Sequence, residues 1–431
     1  MARVRPDARG AGGFRSQRLA AGPAPADALR ARRPAGRLGA AAGALLRHPW
    51  LPGAERQPPF GAGVLPAGSS SLGSCVVPLV GGRYLKAALR GFAPYTPGLQ
   101  PADEEGWVKL NTNESPWPPS PRVIQALHSA VGENLRLYPD PLSRSARSAI
   151  ARHHGVGEDQ VALGNGADEL IELCFRAFTG NGDAVALLRP TYPVYEPVAA
   201  VHECRVSRHP YRADHTLPES FAADEAPLKF LANPNSPTGT WLDREAVLEV
   251  VQRSSGVVAL DEAYVDFAPE ARTDLIREGH ENLLTIRTFS KSYALAGMRL
   301  GYALGTPELV AALDLVKDSY NVNRLGAVAA VAAIEDGEHH DALVEFVLQQ
   351  REALTAGLRA RGFEVLPSAA NFVFCRPPAS HRAAAVAAAL SERQVLVRHY
   401  QQEPVSGWLR ITVGTREQHE ALLRALEEII R

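Results

Sequence analysis

The chain has 431 residues, of which 45% are hydrophobic and 22% charged, and its formal net charge at pH 7 is −1. A chain of this length and composition can bury a large core, and we expect two domains. Its near-neutral charge argues against nucleic acid as a partner, and its apolar runs fall short of the roughly 20 residues that cross a bilayer.

The first 83 residues differ from the rest in composition. They contain 12 Arg, no Lys and 3 acidic residues, a net charge of +9, so the remainder carries −10. The segment is rich in Ala, Gly and Pro and has no helical or strand periodicity, which predicts disorder. We expect translation to start downstream, so that residues 1–83 do not belong to the natural protein. An organellar transit peptide is the alternative.

The rest of the chain predicts an N-terminal arm and two domains. Residues 84–116 form the arm, which packs on the C-terminal domain or on a partner subunit. Strands alternate with helices over residues 120–305, which predicts a mostly parallel sheet with helices on both faces, in a large domain of residues 117–325. Residues 326–431 form a smaller α/β domain. We expect helices over residues 307–317, 325–338 and 339–361, and strands over residues 363–366, 371–375, 395–397 and 408–413.

A glycine turn over residues 161–170 leads from a strand into an amphipathic helix. The first N–H groups of such a helix are free, and its positive dipole end attracts a phosphate. Ala167 and Asp168 would form the cradle. A purely structural turn explains the same glycines.

Two further strands end in polar or aromatic residues. Tyr192 follows the strand over residues 184–188, where its ring can stack on a ligand or pack in the core. The strand over residues 228–231 runs into a turn of asparagine, proline and glycine that contains Asn235 and Ser236.

The strongest pattern joins an aspartate with a lysine. Asp261 ends the apolar strand over residues 257–261, and the carboxyl ends of buried parallel strands are where α/β proteins bind ligands. A helix N-cap is the alternative. Thirty residues on, Lys291 lies between two serines, with Arg299 eight residues further. A lysine that attacks an aldehyde must first lose its proton, whereas an isolated lysine in a polar loop is simply solvated.

The order of these motifs resembles pyridoxal-phosphate enzymes of the aspartate-aminotransferase fold (fold type I), and among them most closely the histidinol-phosphate aminotransferase family. The resemblance covers about residues 84–431. It is carried by residues 109–116, 136–140, 164–170, 261–264, 290–299, 320–323, 368–372 and 409–414.

The resemblance implies pyridoxal 5'-phosphate as the cofactor. Lys291 would hold it as a Schiff base and later carry a proton, while Asp261 would keep the ring nitrogen protonated. Either Asn235 or Ser236 would reach the phenolic oxygen beside Tyr264. We favour Asn235, because an amide is a dependable donor. The remaining cofactor contacts would be Ala167, Asp168, Tyr192, Ser290 and Arg299.

The resemblance also implies substrates and a second subunit. Tyr138 would reach the cofactor phosphate of a partner, so the active unit would be a homodimer. Arg410 would hold the carboxylate of glutamate, Arg398 the phosphate of histidinol phosphate, and Asn113 would be a further substrate contact. Trp117 stands where relatives often have tyrosine, so a hydroxyl near the substrate is lost.

The expected reaction converts L-histidinol phosphate and 2-oxoglutarate into imidazole-acetol phosphate and L-glutamate. A decarboxylase acting on threonine phosphate and an aromatic amino-acid aminotransferase are alternatives. A ligand-sensing module of a transcription regulator is the non-enzymatic one, but the Gly and Pro content of residues 1–83 argues against a helix-turn-helix. The four cysteines show neither metal-like nor paired spacing, which favours the reducing cytoplasm.

Overall fold

The computed structural model describes residues 84–86, 89–90, 95–101 and 105–431. The extension of residues 1–83, with Cys75, and parts of the N-terminal arm lie outside the described residues. In the described part of the chain, every helix is too short or too polar to cross a bilayer.

Strands and helices alternate along most of this region. The strands are β1 (Val108–Leu110), β2 (Val161–Gly164), β3 (Ala184–Arg189), β4 (Arg205–Pro210), β5 (Leu228–Ala232), β6 (Val257–Asp261), β7 (Leu283–Thr288), β8 (Gly301–Leu304), β9 (Glu364–Val365), β10 (Phe372–Arg376), β11 (Val395–His399) and β12 (Leu409–Thr412). The helices are α1 (Pro121–Ala130), α2 (Arg144–His154), α3 (Ala167–Phe178), α4 (Tyr195–Val201), α5 (Glu219–Ala222), α6 (Arg244–Arg253), α7 (Thr273–Arg277), α8 (Pro307–Val316), α9 (Arg324–Ile334), α10 (Gly337–Arg359), α11 (Ala383–Glu392) and α12 (Arg416–Ile430).

The larger sheet has seven strands in the order β2-β8-β7-β6-β5-β3-β4. Only β8 runs antiparallel to its neighbours β2 and β7; the other pairs are parallel. The mostly parallel sheet predicted from the sequence is therefore confirmed. Because β5, β6 and β7 run in the same direction, their carboxyl ends meet at one edge of the sheet.

Helices cover both faces of this sheet. Alternate residues of a strand point to opposite faces, so Leu187 belongs to the apolar cluster that includes residues of α3 and α8, while Leu188 belongs to the cluster that includes residues of α2, α6 and α9. Full burial of a leucine side chain contributes roughly 1.5–3 kcal/mol. The two apolar layers hold the sheet rigid, and the strand ends are fixed with it.

The smaller sheet has five strands in the order β1-β11-β12-β10-β9. Its first strand comes from the N-terminal arm, where Val108 lies opposite Val395 in a parallel pair. The strand therefore brings residues 111–114 to the larger sheet's edge.

The boundary predicted between residues 325 and 326 falls inside α9. Ala329, Ala330 and Ala333 of this helix belong to the core of the larger sheet, because α9 packs against α1 and α2. Sequence periodicity identifies such a helix but not the neighbour that its apolar face contacts. In the C-terminal part of the chain, from α10 onward, α10 itself packs against β9, β10 and α12.

Candidate active site

A cavity of about 380 Å³ opens at the carboxyl ends of the central strands. The last residues of β5, β6 and β7, which are Ala232, Asp261 and Thr288, all line it. Its other lining residues are Thr112, Glu114, Ala167, Asp168, Tyr192, Pro234, Ser236, Ala263, Tyr264, Ser290, Lys291, Ala296, Gly297 and Arg299. The volume is in the range of small-molecule sites.

Asp261 is a buried carboxylate, 5% exposed. The Tyr195 hydroxyl donates to its Oδ2 at 2.6 Å, and the N–H of Ala263 donates to its Oδ1 at 3.0 Å. Burial raises its pKa to about 6, although these two hydrogen bonds lower it. Within the described residues, Asp261 forms no salt bridge, and no cation is among the main influences on its pKa. The site therefore contains a buried negative charge without a cationic partner.

Lys291 lies in the loop after β7, with its amine inside the cavity. Nζ lies 3.5 Å from the carbonyl oxygen of Thr112 and 5.8 Å from the ring centroid of Tyr264. Burial and, to a lesser extent, the positive charge of Arg410 lower the pKa of Lys291 to about 8. A lysine with this pKa supplies a neutral, nucleophilic amine near physiological pH.

The N-terminus of α3 forms one end of the cavity. Gly166 precedes it with φ of +86°, and a Cβ there would lie 2.8 Å from Nη2 of Arg299. The Arg299 guanidinium forms a salt bridge of 3.0 Å with Asp168. The first N–H groups of α3, this guanidinium and the Ser290 hydroxyl border the same space, which suits a phosphate group.

Tyr192 reaches the same end of the cavity. Its hydroxyl donates to Oδ1 of Asp168 at 3.2 Å, and its ring meets that of Tyr195 edge to face at 5.6 Å. These contacts fix the plane of the Tyr192 ring beside the cavity.

Asn235 does not line the cavity, which contradicts the preference for this residue. Its amide donates to the carbonyl oxygen of Pro190 at 3.0 Å and to Thr238 at 2.9 Å, so the side chain stabilises the turn. Ser236 lines the cavity instead and accepts a hydrogen bond of 3.2 Å from Arg410. Dihedral angles of the turn decide which neighbour points inward, and the sequence does not give them.

Tyr264 connects the cavity with the N-terminal arm. The amide of Asn113 donates to its hydroxyl at 3.0 Å, and the Thr412 hydroxyl donates to Oδ1 of Asn113 at 3.1 Å. Burial raises the pKa of Tyr264, although the charge of Arg410 lowers it. Asn113 is therefore fixed between Tyr264 and β12.

Arg410 and Arg398 lie directly opposite each other on β12 and β11. Arg410 is 8% exposed, and its Nε has no hydrogen-bond partner among the described residues. Within this part of the chain Arg410 forms no salt bridge, and no carboxylate is among the main influences on its pKa. Like charges on facing strand positions destabilise a sheet, so this pair suits an anionic ligand. Arg398 also donates to the carbonyl oxygen of Thr96 at 2.7 Å.

Two of the singled-out aromatic residues lie outside the cavity lining. Tyr138 is 78% exposed and stacks on Tyr320 with 4.5 Å between ring centroids. Trp117 packs against Phe346 of α10 at 5.1 Å. Trp117 therefore does not line the substrate space of this subunit.

Sequence reasoning assigned no role to Tyr195, Thr112 or Glu114. Tyr195 lies three residues after Tyr192, and a buried tyrosine needs a partner for its hydroxyl, so that spacing was a usable signal. Thr112 and Glu114 have no comparable signal, because the pairing of β1 with β11 brings them to the cavity.

Comparisons with known proteins agree with this geometry. Residues 105–426 match the model of the family "Aminotransferase class I and II". Histidinol-phosphate aminotransferase of Geotalea uraniireducens (strain Rf4) is 41% identical over 345 residues, which cover 80% of this chain and 99% of that protein. The protein of the same name from Syntrophotalea carbinolica is 43% identical over 343 residues, covering 78% of this chain and 96% of that protein.

A solved structure shares the fold. It is the crystal structure of histidinol-phosphate aminotransferase from Sinorhizobium meliloti in complex with pyridoxal-5'-phosphate. It has a TM-score of 0.74 and 29% identity and covers 81% of this chain and 98% of that one. These findings confirm the resemblance inferred from the motifs and the predicted fold type I. The chain belongs to the aminotransferase class I and II family.

Proposed function

We propose that this aminotransferase interconverts L-histidinol phosphate and 2-oxoglutarate with imidazole-acetol phosphate and L-glutamate, using pyridoxal 5'-phosphate. The observation that carries the proposal is one cavity containing Lys291 with a lowered pKa and Asp261 without a cationic partner. Relatives that are 41% and 43% identical bear the corresponding name.

The side chains fit the cofactor at its ring nitrogen. When bound, pyridoxal 5'-phosphate withdraws electrons from the α-carbon of the substrate, provided that its ring nitrogen is protonated. Asp261 would face this nitrogen and supply the charge that keeps the proton there. Tyr195 would orient the carboxylate through its hydrogen bond of 2.6 Å.

At the other end, the chain offers donors for a phosphate. Ala167 and Asp168 would donate their backbone N–H groups from the start of α3, and Ser290 and Arg299 would add a hydroxyl and a guanidinium. Tyr192 would flank the ring, as its fixed plane permits. We assign the phenolic oxygen to Ser236 and Tyr264, which both line the cavity.

Lys291 would act twice. Its neutral amine would first bond the cofactor's aldehyde, and a pKa near 8 leaves about a tenth of the amine neutral at pH 7. Once the substrate amine has displaced it, Nζ would take the proton from the α-carbon and deliver it to the cofactor carbon beside the ring. Burial keeps bulk water from competing for this proton.

Substrate recognition would rest on the two opposed arginines. Arg410 would bind the carboxylate of glutamate through its planar fork, and Arg398 would contribute to the phosphate of histidinol phosphate. Asn113 would contact the substrate from the arm, beside Tyr264. One anion site would thus accept both substrates in turn.

We also propose a homodimer in the cytoplasm. The stacked Tyr138 and Tyr320 rings, with Leu135 and Leu137 nearby in the chain, are exposed apolar groups of the kind that a second subunit covers. Tyr138 would then reach the partner's cofactor phosphate. The described cysteines are free, and two are buried, which supports a reducing compartment.

Steady-state kinetics with histidinol phosphate, phenylalanine and tyrosine, each against 2-oxoglutarate, test the proposal. We expect kcat/KM to be highest for histidinol phosphate. A higher value for phenylalanine or tyrosine would replace the substrate assignment by the aromatic one. Release of CO₂ from threonine phosphate, without a requirement for 2-oxoglutarate, would favour the decarboxylase.

A further inference from the structure

A polar cluster that is mostly shielded from solvent lies behind the turn that carries Lys291. Ser292, 1% exposed, donates its hydroxyl to Oδ2 of Asp266. Asp266 lies in the helical turn Val265–Phe267, directly after Tyr264. This contact therefore ties the segment that holds Lys291 to the segment that holds Asp261 and Tyr264.

The turn itself has a conformation that needs support. Ala294 has φ of +56°, the left-handed region that costs a non-glycine residue roughly 1–2 kcal/mol. Its N–H donates to the carbonyl oxygen of Lys291 at 3.2 Å. The ring of Tyr293 packs between those of Phe289 and His340, with 4.9 Å and 4.5 Å between the ring centroids. Side chains on both sides of the turn thus keep it in place.

Asp266 itself lies between a histidine and an arginine. Nε2 of His340, on α10, lies 3.5 Å from its Oδ2, and Nη1 of Arg287 lies 3.7 Å from its Oδ1. Burial raises the pKa of Asp266, but His340 and Arg287 outweigh it and hold this pKa well below its usual range. His340 also contacts Asp341 at 3.0 Å, and His153 on α2 lies within its electrostatic reach.

We propose that Asp266, clamped by His340 and Arg287, positions Lys291 for attack on the cofactor through the Ser292 hydroxyl. Asp266, Ser292 and His340 are positioning residues, because none of them lines the cavity. The inference rests on the proposed function, since it concerns how the lysine meets an aldehyde. It adds that α10, the first helix of the C-terminal part, helps to set the lysine's position.

A loosened turn would expose Nζ of Lys291 to water, so its pKa would rise from about 8 toward its ordinary value of 10.5. The charges that act most strongly on the pKa of Lys291 are those of Arg410, Glu114, Asp168 and Arg299. Loss of a negative charge at Asp266 would lower the pKa of a lysine, because a carboxylate favours the protonated amine. A raised pKa in Asp266→Asn would therefore report the position of the amine and not a lost charge.

The test measures covalent capture of pyridoxal 5'-phosphate by the cofactor-free protein at several pH values. Borohydride fixes the product, and mass spectrometry of the Lys291 peptide quantifies it. We expect an apparent pKa near 8 in the wild type. In Ser292→Ala, Asp266→Asn and His340→Gln it should rise by about one unit, with about tenfold less capture at pH 7. In turnover, kcat should fall about tenfold while KM stays within about twofold.

His209→Gln is the matched control. Nε2 of His209 lies 2.9 Å from Oδ2 of Asp224, both side chains are largely buried, and neither residue lines the cavity. This variant loses a similar contact between a histidine and an aspartate, so general destabilisation would affect it alike, but its capture pKa should match the wild type.

The outcomes separate the two proposals. Capture and turnover by the wild type, with an unchanged capture pKa in the three variants, would overturn the positioning role alone. An equal shift in His209→Gln would also overturn it, because the effect would then be nonspecific. A wild type that captures no cofactor would overturn both. If Ser292→Ala failed to fold, the capture pKa of His340→Gln would test the positioning role, because this substitution alters no atom of the turn.

Discussion

Replacement of Asp261 by asparagine is expected to stabilise the cofactor-free protein, although it should damage catalysis. Burial raises the pKa of Asp261 from 3.8 to about 6. The folded state therefore binds more protons than the unfolded state between these values, and stability falls as pH rises through them. The difference of about two units corresponds to about 3 kcal/mol of unfavourable free energy above pH 6, at about 1.4 kcal/mol per unit.

Asparagine removes this cost but has one acceptor oxygen where the carboxylate has two, so one of the hydrogen bonds from Tyr195 and Ala263 is lost, at about 1 kcal/mol. We therefore expect the variant to be about 2 kcal/mol more stable than the wild type at pH 8. At pH 5 the wild-type carboxyl is largely protonated in the folded state, so the gain should shrink to about 0.5 kcal/mol.

Urea unfolding of both proteins without cofactor, at pH 8 and pH 5, measures these differences. Asp266→Asn serves as a control of opposite sign. Its pKa is lowered in the folded state, so loss of its charge should destabilise the protein at pH 8. A variant at Asp261 that is no more stable than the wild type at pH 8 would refute the claim that this carboxylate is buried without a cation.

Three further predictions concern the cavity. Lys291→Ala should abolish turnover and the absorbance of the covalently bound cofactor; transamination near the wild-type rate would remove the lysine from its role. Arg410→Lys should raise KM for glutamate at least about tenfold, because a lysine lacks the planar fork of arginine. Arg398→Lys should raise KM for histidinol phosphate more than KM for glutamate. Equal effects of both variants on both substrates, in steady-state kinetics, would argue against this division. Gly166→Ala should weaken cofactor affinity measured by equilibrium dialysis, because its Cβ would lie 2.8 Å from the Arg299 guanidinium at a positive φ; unchanged affinity would argue against a phosphate there.

The sequence was most informative where a residue with a reactive or charged side chain lies at or just after the end of a buried strand. Asp261 and Lys291 follow buried apolar strands, and parallel strands align their carboxyl ends, so both residues meet in one cavity. This inference needs only periodicity and chain order. The predicted fold follows from the same pattern and is confirmed by the solved relative.

The sequence was least informative where a contact depends on the dihedral angles of a turn or on which helices and strands pack together. Asn235 and Ser236 are neighbours in one turn, and only the turn's dihedral angles direct Ser236 to the cavity. The predicted boundary falls inside α9 because periodicity identifies an apolar helix face but not the element that this face contacts. Thr112 and Glu114 reach the site through pairing of β1 with a strand nearly three hundred residues away.

The hydrogen bonds between Asn113 and Thr412 join residues 299 positions apart in the chain. When Lys291 and Asp261 have been synthesised, the site is therefore still incomplete. Asn113, which donates to Tyr264, is held in place only once Thr412 of β12 has been added. A nascent or C-terminally truncated chain would possess the lysine without the groups that orient a substrate beside it. Full activity is therefore expected only from chains that include all of β12.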